Sequence, residues 1–282
     1  IKKVVYGLVD PNPLVTGLGA QILNDAGIIA EEYQGPQKNE LENLAEIFLK
    51  NFRQKKVFVA AKVASSLDGV IALKTGESQW ITSPESREYV HELRSYYDAI
   101  IVGKNTIEID NPSLNIRHPD IKKESKVIIL DSKASLYKKV QAGIHFKFVD
   151  SHKKHNIYYA TQMSGIDDSQ VIQHTDLQSL LENLWKIGLR SVFIEGGSQV
   201  YSSFLSAQLI DRLHMFLNTS VIGHKNGLSW STNFESEKLD LKQQYLSLEK
   251  EIDKAIKDVL LATNFIGGEQ VGKLEKDIAA YC

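Results

Sequence analysis

The chain has 282 residues, of which 43% are hydrophobic and 24% are charged, and its formal net charge is −2. This composition is ordinary for a globular protein, and the near-neutral net charge does not indicate binding of nucleic acid. No apolar run is long enough to span a bilayer, and the amino-terminal residues lack the pattern of a secretory signal. The single cysteine, Cys282, excludes an intrachain disulfide and a multi-cysteine metal site. We therefore expect a cytoplasmic protein with no bound metal and neither nucleic acid nor membrane as a partner.

The first 50 residues predict a strand, a turn, a helix, a strand and a helix. An apolar run over residues 4–9 precedes the turn-prone residues 10–13, and Gly27 is a plausible stop for the first helix. Residues 41–52 have apolar side chains at helical spacing. Because the sequence begins at Ile1 rather than at a methionine, we expect it to be part of a longer protein.

Nearly unbroken apolar runs then alternate with helical patterns. The runs cover residues 57–64, 99–102, 126–130 and 191–194, and the helical patterns cover residues 83–97 and 176–187. Such runs are typical of strands buried on both faces of a parallel sheet, so the alternation predicts an α/β fold with a mostly parallel sheet. Ser83, which is followed by a proline, is the predicted amino-terminal cap of its helix. Residues 237–282 are more charged and predict two helices separated by a Gly-Gly break.

Three polar loops each follow one of these strands. They cover residues 64–69, 103–117 and 195–201, and the last contains Glu-Gly-Gly before a predicted helix. Because the carboxyl ends of parallel strands meet at one edge, we expect the loops to gather there and to bind a ligand. Asp68 and Asp110 are also typical turn formers, and Gly-Gly turns are common. The arrangement favours a nucleotide-dependent enzyme over a passive scaffold, and the spacing leaves the reaction open.

Several single residues in or near these loops carry possible chemistry. Trp80 lies among small polar residues, where it could stack on a flat ring or anchor the core. His91 has no second histidine four residues later, because Ser95 stands there, which excludes a zinc-protease helix. Arg94 is suited to a phosphate, although an exposed ion pair is the commoner arrangement. Glu195 stands at the end of a predicted buried strand. Burying its charge costs free energy unless the carboxylate has a partner or a function.

Six segments in register resemble the reductase domain of the bacterial bifunctional riboflavin-biosynthesis deaminase/reductase. The resemblance spans residues 55–235 and is carried by residues 62–69, 76–82, the helix with His91 and Arg94, and residues 106–117, 130–132 and 195–197. It implies a dihydrofolate-reductase-like fold, in which a mostly parallel sheet is flanked by helices. It also implies reduction of the ribosyl group of 5-amino-6-(5-phosphoribosylamino)uracil to ribityl by NADPH, and a homodimer.

The resemblance also implies roles for individual residues. Those of the NADPH site are Ala64, Trp80, Thr106, Asp110, Ser132, Gly197, Ser198, Gln199, Val200, Tyr201, Ser202 and Ser203. Those of the site for the phosphorylated substrate are Ser78, Arg94, Leu114, Arg117 and Glu195. Arg94 and Arg117 are the natural phosphate ligands, since a guanidinium pairs two phosphate oxygens. Lys62, Asp110 and Glu195 are the catalytic candidates for proton handling and ring opening, with Asp110 foremost.

The flanking segments resemble other proteins. Residues 1–52 resemble the end of the same enzyme's deaminase domain, but the chain has neither a His-x-Glu nor a Pro-Cys-x-x-Cys element to hold zinc, so we do not expect deamination. Residues 236–282 resemble the start of a sugar aminotransferase of the pyridoxal-phosphate type. The expected domains are therefore a deaminase remnant (1–52), a reductase domain (55–235) and a helical tail (236–282).

Two departures from the family pattern bear on the site. Asn111 stands where the family often has an aspartate, and residues 218–219 are Asn-Thr where it often has Ala-Pro. Two other functions stay open. One is an NADPH reductase of the same fold that acts on another glycosylamine or a pterin-like substrate, and the other is a non-catalytic binding or assembly module of a fusion protein.

Overall fold

A computed structural model of the chain describes residues 1–74, 83–223, 225 and 227–231. Residues 1–234 form one compact unit, to which all described residues belong. The strands are β1 (Lys3–Tyr6), β2 (Ile29–Glu32), β3 (Phe58–Ser66), β4 (Val70–Leu73), β5 (Ala99–Gly103), β6 (Lys126–Leu130), β7 (Ile157–Thr161), β8 (Val171–Gln173), β9 (Ser191–Ile194), β10 (Arg212–Asn218) and β11 (Gly227–Ser229). The helices are α1 (Leu18–Asp25), α2 (Lys38–Leu44), α3 (Glu46–Gln54), α4 (Pro84–Tyr96), α5 (Lys104–Asp110), α6 (Ser135–Gln141), α7 (Lys147–Ser151), α8 (Leu177–Lys186) and α9 (Ser198–Ser206).

Within the described residues, a seven-stranded sheet has the order β10-β3-β9-β5-β6-β7-β8, and every neighbouring pair is parallel. The chain moves outward from β5 to β8, and α8 then returns it to β9, between β3 and β5. The direction of winding therefore reverses beside β9, and open α/β sheets bind ligands at such a reversal. The predicted α/β fold with a mostly parallel sheet flanked by helices is confirmed.

The core lies on both faces of the central strands. Every residue of β9 is buried, and Phe193 is in register with Ala60 of β3 on one side and Ile100 of β5 on the other. On one face Phe193 stacks on Tyr97 at the end of α4, with ring centroids 4.9 Å apart. The other face packs against α8 and α9, where Phe204 is fully buried. The apolar runs of the sequence are therefore strands covered on both sides, as their composition predicts.

The two predicted long helices both begin with a side-chain cap, and the one at Ser83 is the cap predicted from the sequence. Ser83 accepts a hydrogen bond from the Ser86 backbone N–H at the start of α4. Asp176 accepts one from Ser179 at 2.7 Å, and the Ser179 hydroxyl completes a capping box at α8. These side chains bind amide groups that have no partner within the helix.

The amino-terminal segment has the predicted order of elements, with one correction. The helix predicted over residues 41–52 is two helices, α2 and α3, because the backbone of Ala45 leaves the helical region with φ −103° and ψ 10°. The break lets the two helices pack separately, since Leu41 lies against Gly7 and Leu49 is buried in the main core. Strands β1 and β2 form a parallel pair outside the seven-stranded sheet.

None of the helices in the described part of the chain combines the length and the apolar character needed to cross a bilayer. The two helices predicted over residues 237–282 lie outside the described residues.

Candidate active site

A cleft of about 1920 Å³ opens at the edge where strands β3, β5, β6 and β9 end. It brings together most of the residues that the sequence assigns to a site. Those that line it are Lys62, Ala64, Arg94, Thr106, Asp110, Leu114, Arg117, Ser132, Glu195, Gly197, Ser198, Gln199, Val200, Tyr201 and Ser203. The predicted convergence of distant loops at one edge of the sheet is therefore what the structure shows.

Among the described residues, Ser202 is the predicted site residue that is not part of this lining. Ser78 and Trp80 lie outside the described residues. Ser202 is buried on α9, one turn after Ser198, and its hydroxyl has no hydrogen-bond partner among the described residues. A ligand in the cleft would reach the neighbouring Ser203 rather than Ser202.

Glu195 is held by two cations at the end of β9. The Nε and Nη2 atoms of Arg94 donate to its two carboxylate oxygens, the latter over 2.9 Å, and Lys62 Nζ is 3.8 Å from Oε2. Burial by itself would raise the pKa of the Glu195 carboxyl, but Arg94 and Lys62 outweigh it and lower the pKa well below the usual value. Glu195 is therefore ionised at neutral pH and can accept hydrogen bonds from a ligand.

Most of the N–H donors of the Arg94 guanidinium bind groups within the protein. Besides the two bonds to Glu195, its Nη1 atom donates to the backbone carbonyl of Asn115 over 2.8 Å. Arg117, at the other end of the same loop, is exposed and lines the cleft. Of the two arginines that the sequence assigns to a phosphate, Arg117 has the guanidinium at the cleft surface, whereas Arg94 organises Glu195 and the loop.

Asp110 has the opposite electrostatic setting. It is the last residue of α5, and solvent reaches it through the cleft. Partial burial by the cleft walls raises the pKa of its carboxyl, and the negative end of the helix dipole disfavours the charge in the same way. Asp110 can therefore hold a proton more readily than an ordinary aspartate.

The amide of Asn111 suits the turn that follows Asp110. Its backbone has φ 43°, in the left-handed region that asparagine tolerates, and it ends α5. Its Oδ1 atom accepts a hydrogen bond from the backbone N–H of Lys147 over 2.9 Å. This departure from the family pattern therefore serves the backbone, and it leaves the Asp110 carboxyl facing the cleft.

Glycines allow β5, β9 and α9 to pack closely at the floor of the cleft. A Cβ on Gly196 would lie 2.7 Å from Val200 Cβ, and one on Gly103 would lie 2.9 Å from Val200 Cγ2. A Cβ on Gly197 would approach Thr106 only to 3.8 Å, so this glycine leaves space toward the cleft rather than relieving a clash. Helix α9 begins at the next residue, and the unpaired N–H groups of a helix start attract an anion.

The contacts of Asp68 are structural, and they favour a turn over a ligand-binding role for this carboxylate. Its carboxylate accepts hydrogen bonds from the Ser66 hydroxyl at 2.6 Å, the Gly223 N–H at 2.7 Å and the Ile222 N–H at 3.2 Å. These bonds lower the pKa of Asp68 to about 2. They tie the start of β4 to the loop before β11, and these two strands pair to form a ribbon whose residues 71–74 and Leu228 line the cleft.

Sequence reasoning missed this ribbon and several cations of the cleft. The missed cations include Lys104, Lys133 and Lys147. A signal was present for two of them, since Lys104 follows β5 directly and Lys133 comes three residues after β6. Side chains just beyond the carboxyl ends of parallel strands are the ones that reach a ligand.

Comparison with known proteins identifies the family. Residues 57–251 match the model of the RibD C-terminal domain. The chain belongs to this family. The match confirms the family predicted from the sequence motifs.

Curated relatives and solved structures agree with the match. The riboflavin biosynthesis protein RibD of Actinobacillus pleuropneumoniae is 33% identical over 284 residues, covering 95% of this chain and 69% of the relative. The protein of the same name from Bacillus amyloliquefaciens is 33% identical over 229 residues, covering 79% of this chain and 61% of the relative.

Among solved structures, a diaminohydroxyphosphoribosylaminopyrimidine deaminase/5-amino-6-(5-phosphoribosylamino)uracil reductase from Thermotoga maritima has a TM-score of 0.70 and 34% identity, and the match covers 84% of this chain and 64% of that one. RibD of Acinetobacter baumannii has a TM-score of 0.68 and 31% identity, with 84% and 66% covered. The chain thus spans between 61% and 69% of the length of these relatives.

Proposed function

We propose that the chain reduces the ribosyl group of 5-amino-6-(5-phosphoribosylamino)uracil to ribityl, with NADPH as the reductant. The observation that carries the proposal is the single cleft, in a RibD C-terminal domain, that joins the cofactor residues to the substrate residues. A related structure from Thermotoga maritima is described as a reductase of this aminouracil. The proposal extends the reductase activity named for that longer protein to a chain that covers 64% of its length.

The cleft fits a dinucleotide beside a second ligand. Its volume of about 1920 Å³ exceeds the roughly 300–1,000 Å³ of ordinary ligand pockets. The start of α9 suits the pyrophosphate, and Lys104 and Lys133 supply positive charge near Ser132 for a further phosphate. NADPH supplies a hydride when it is bound, and the protein supplies orientation and charge.

Two of the carboxylates that line the cleft, Asp110 and Glu195, have separate roles in the proposed reaction. Reduction of the open, imine form of the sugar adds a hydride to carbon and a proton to nitrogen. Asp110, whose pKa is raised, is the group that can hold and deliver that proton. Glu195, whose pKa is lowered, accepts hydrogen bonds from the substrate and orients it, while Arg117 binds the phosphate.

The test is a turnover assay on the purified chain. NADPH and the phosphoribosylaminouracil are mixed with the protein, and oxidation of the cofactor is followed together with formation of the ribityl product. We expect turnover with NADPH and much slower turnover with NADH. No oxidation of either cofactor would contradict the proposal, and turnover of another glycosylamine or a pterin in place of this substrate would establish the alternative reductase.

We further propose that the chain forms a homodimer through the outer edge of the sheet. Among the described strands, β10 pairs with β3 alone, and its residues Leu213, Met215 and Leu217, which point to one face of the sheet, are 37%, 43% and 57% exposed. An apolar strand at a sheet edge favours association with another surface.

Light scattering should show a dimer for the wild-type chain and a monomer for Met215→Lys. Val15→Lys, at an apolar residue of the amino-terminal segment with a similar exposure of 46%, is the control and should stay dimeric. A wild-type monomer would contradict the assembly without bearing on the activity.

A further inference from the structure

His91 contacts the loop that presents Arg117 but does not itself line the cleft. It lies on α4, and its Nδ1 atom accepts a hydrogen bond from the backbone N–H of Arg117 over 3.1 Å. The same nitrogen is 3.4 Å from Nη1 of Arg94. The histidine therefore contacts both arginines without being one of the residues that line the cleft, so its influence on a ligand passes through them.

The loop from Leu114 to Arg117 needs such support. Leu114 is buried and has φ 56°, a left-handed conformation that is unfavourable for a leucine. Arg94 donates to the Asn115 carbonyl, and His91 accepts from the Arg117 N–H two residues later. Two side chains of α4 therefore bind the backbone of a strained loop, one at Asn115 and the other at Arg117.

The hydrogen bond fixes the protonation state of the ring. Because a backbone N–H can only donate, Nδ1 of His91 must accept, and the ring proton lies on Nε2. Burial, followed by the charges of Arg94 and Arg117, lowers the pKa of His91 to about 4. Glu195 and the Asn115 backbone act in the opposite direction but to a smaller extent. The acceptor is therefore present throughout the neutral range of pH.

We propose that His91 is a positioning residue for the substrate: by accepting the Arg117 N–H, it fixes the loop so that the Arg117 guanidinium meets a sugar phosphate. The inference rests on the proposed function for the identity of the substrate. The positioning role itself requires only that the ligand carry a phosphate.

Two substitutions separate the acceptor from the ring. His91→Asn keeps an acceptor in the place of Nδ1 and loses the ring, whereas His91→Phe keeps the ring and loses the acceptor. We expect His91→Phe to raise KM for the phosphorylated substrate about five- to tenfold, the loss of roughly one hydrogen bond, with kcat nearly unchanged. His91→Asn should restore KM to the wild-type value. Thermal unfolding checks each variant, and His91→Ala replaces His91→Phe if that variant does not fold.

A binding measurement distinguishes this inference from the proposed function. Ribose 5-phosphate and ribose are titrated by calorimetry into the wild-type chain and both variants. We expect the wild type to prefer ribose 5-phosphate, His91→Phe to lose most of that preference and His91→Asn to keep it. This pattern without NADPH turnover would overturn the proposed function alone. Equal binding of the two sugars by the wild type, or an unchanged preference in His91→Phe, would overturn the role of His91.

Discussion

Four carboxylates, two at each edge of the sheet, differ in the groups that they bind. At the amino edge, Asp98 accepts hydrogen bonds from the backbone N–H groups of Arg190 and Ser191 over 2.7 and 3.0 Å. Asp211 accepts the N–H of Val59 over 2.8 Å at the same edge. At the carboxyl edge, Glu195 is held by side chains and Asp110 faces the cleft. Carboxylates that bind backbone amides join strands together, whereas carboxylates that are held by side chains or face a cleft are available to a ligand.

The largest effect is expected at Asp110. Asp110→Asn removes the proposed proton donor, and the contribution of such a group predicts a fall in kcat of about 10²- to 10⁴-fold. In the wild type, kcat should fall as the pH rises through the pKa of Asp110, because the protonated form is lost; that pKa lies above the ordinary value of about 3.9. The measurement is kcat against pH.

The matched control for Asp110 is a carboxylate at the other edge. Asp98→Asn should keep the wild-type pH profile, whereas Asp110→Asn should remove the limb assigned to its carboxyl. If Asp110→Asn retained both the rate and the profile, the difference between the two edges would not hold for catalysis.

The next effect concerns the loop that Arg94 and His91 organise. Arg117→Ala should raise KM for the phosphorylated substrate about ten- to a hundredfold, since hydrogen bonds to charged groups contribute roughly 1.5–3 kcal/mol. Steady-state kinetics measures the change, and Arg190→Ala, which removes an arginine at the amino edge, is the control that should leave KM unchanged. Equal KM values for Arg117→Ala and the wild type would move the phosphate site elsewhere in the cleft.

The amino edge should respond in stability rather than in activity. Asp98→Ala leaves two backbone N–H groups without their acceptor, and we expect the free energy of unfolding to fall by about 1–3 kcal/mol. Denaturant unfolding measures this change, while kcat/KM of the folded variant should match the wild type, because Asp98 is not among the residues that line the cleft. A stable but inactive Asp98→Ala variant would instead assign a role in the reaction to a carboxylate at the amino edge.

The smallest effect is expected at Asp68, a carboxylate near the cleft that nevertheless binds backbone amides. Its pKa of about 2 in the folded chain is below the unfolded value of about 3.9. Its stabilising contribution is therefore complete above the unfolded pKa and lost as the pH falls toward 2. Acid unfolding of Asp68→Asn should depend less on pH in this range than that of the wild type, and an identical dependence would contradict the assigned bonds.

Local sequence was sufficient for the elements that carry their own signals. The apolar runs predicted the central strands, the cap at Ser83 marked the start of α4, and the helical pattern over residues 176–187 predicted α8. Motif resemblance then placed the cleft residues. The pairing of β4 with β11 had no such signal, because these strands are far apart in the sequence, and the partner of Asp68 at Ile222 is 154 residues away.

The chemistry of individual residues was harder to predict than their position. Arg94 and Arg117 were equivalent in the sequence, and only the contacts of Arg94 with Glu195 and Asn115 separate their roles. The positive φ of Leu114, which makes the support from His91 necessary, follows from packing and not from residue type. The assignments of residues 1–52 to a deaminase remnant and of 236–282 to an aminotransferase-like tail stay predictions.

In the proposed function, one cleft at the carboxyl edge brings a nicotinamide beside the sugar of a phosphorylated aminouracil. The most direct test uses NADPH that carries deuterium at the transferring position, with the product examined by mass spectrometry and NMR. We expect the deuterium on the carbon of the ribityl chain that is bonded to nitrogen. Consumption of NADPH without deuterium in the product, or formation of the product without consumption of NADPH, would contradict it.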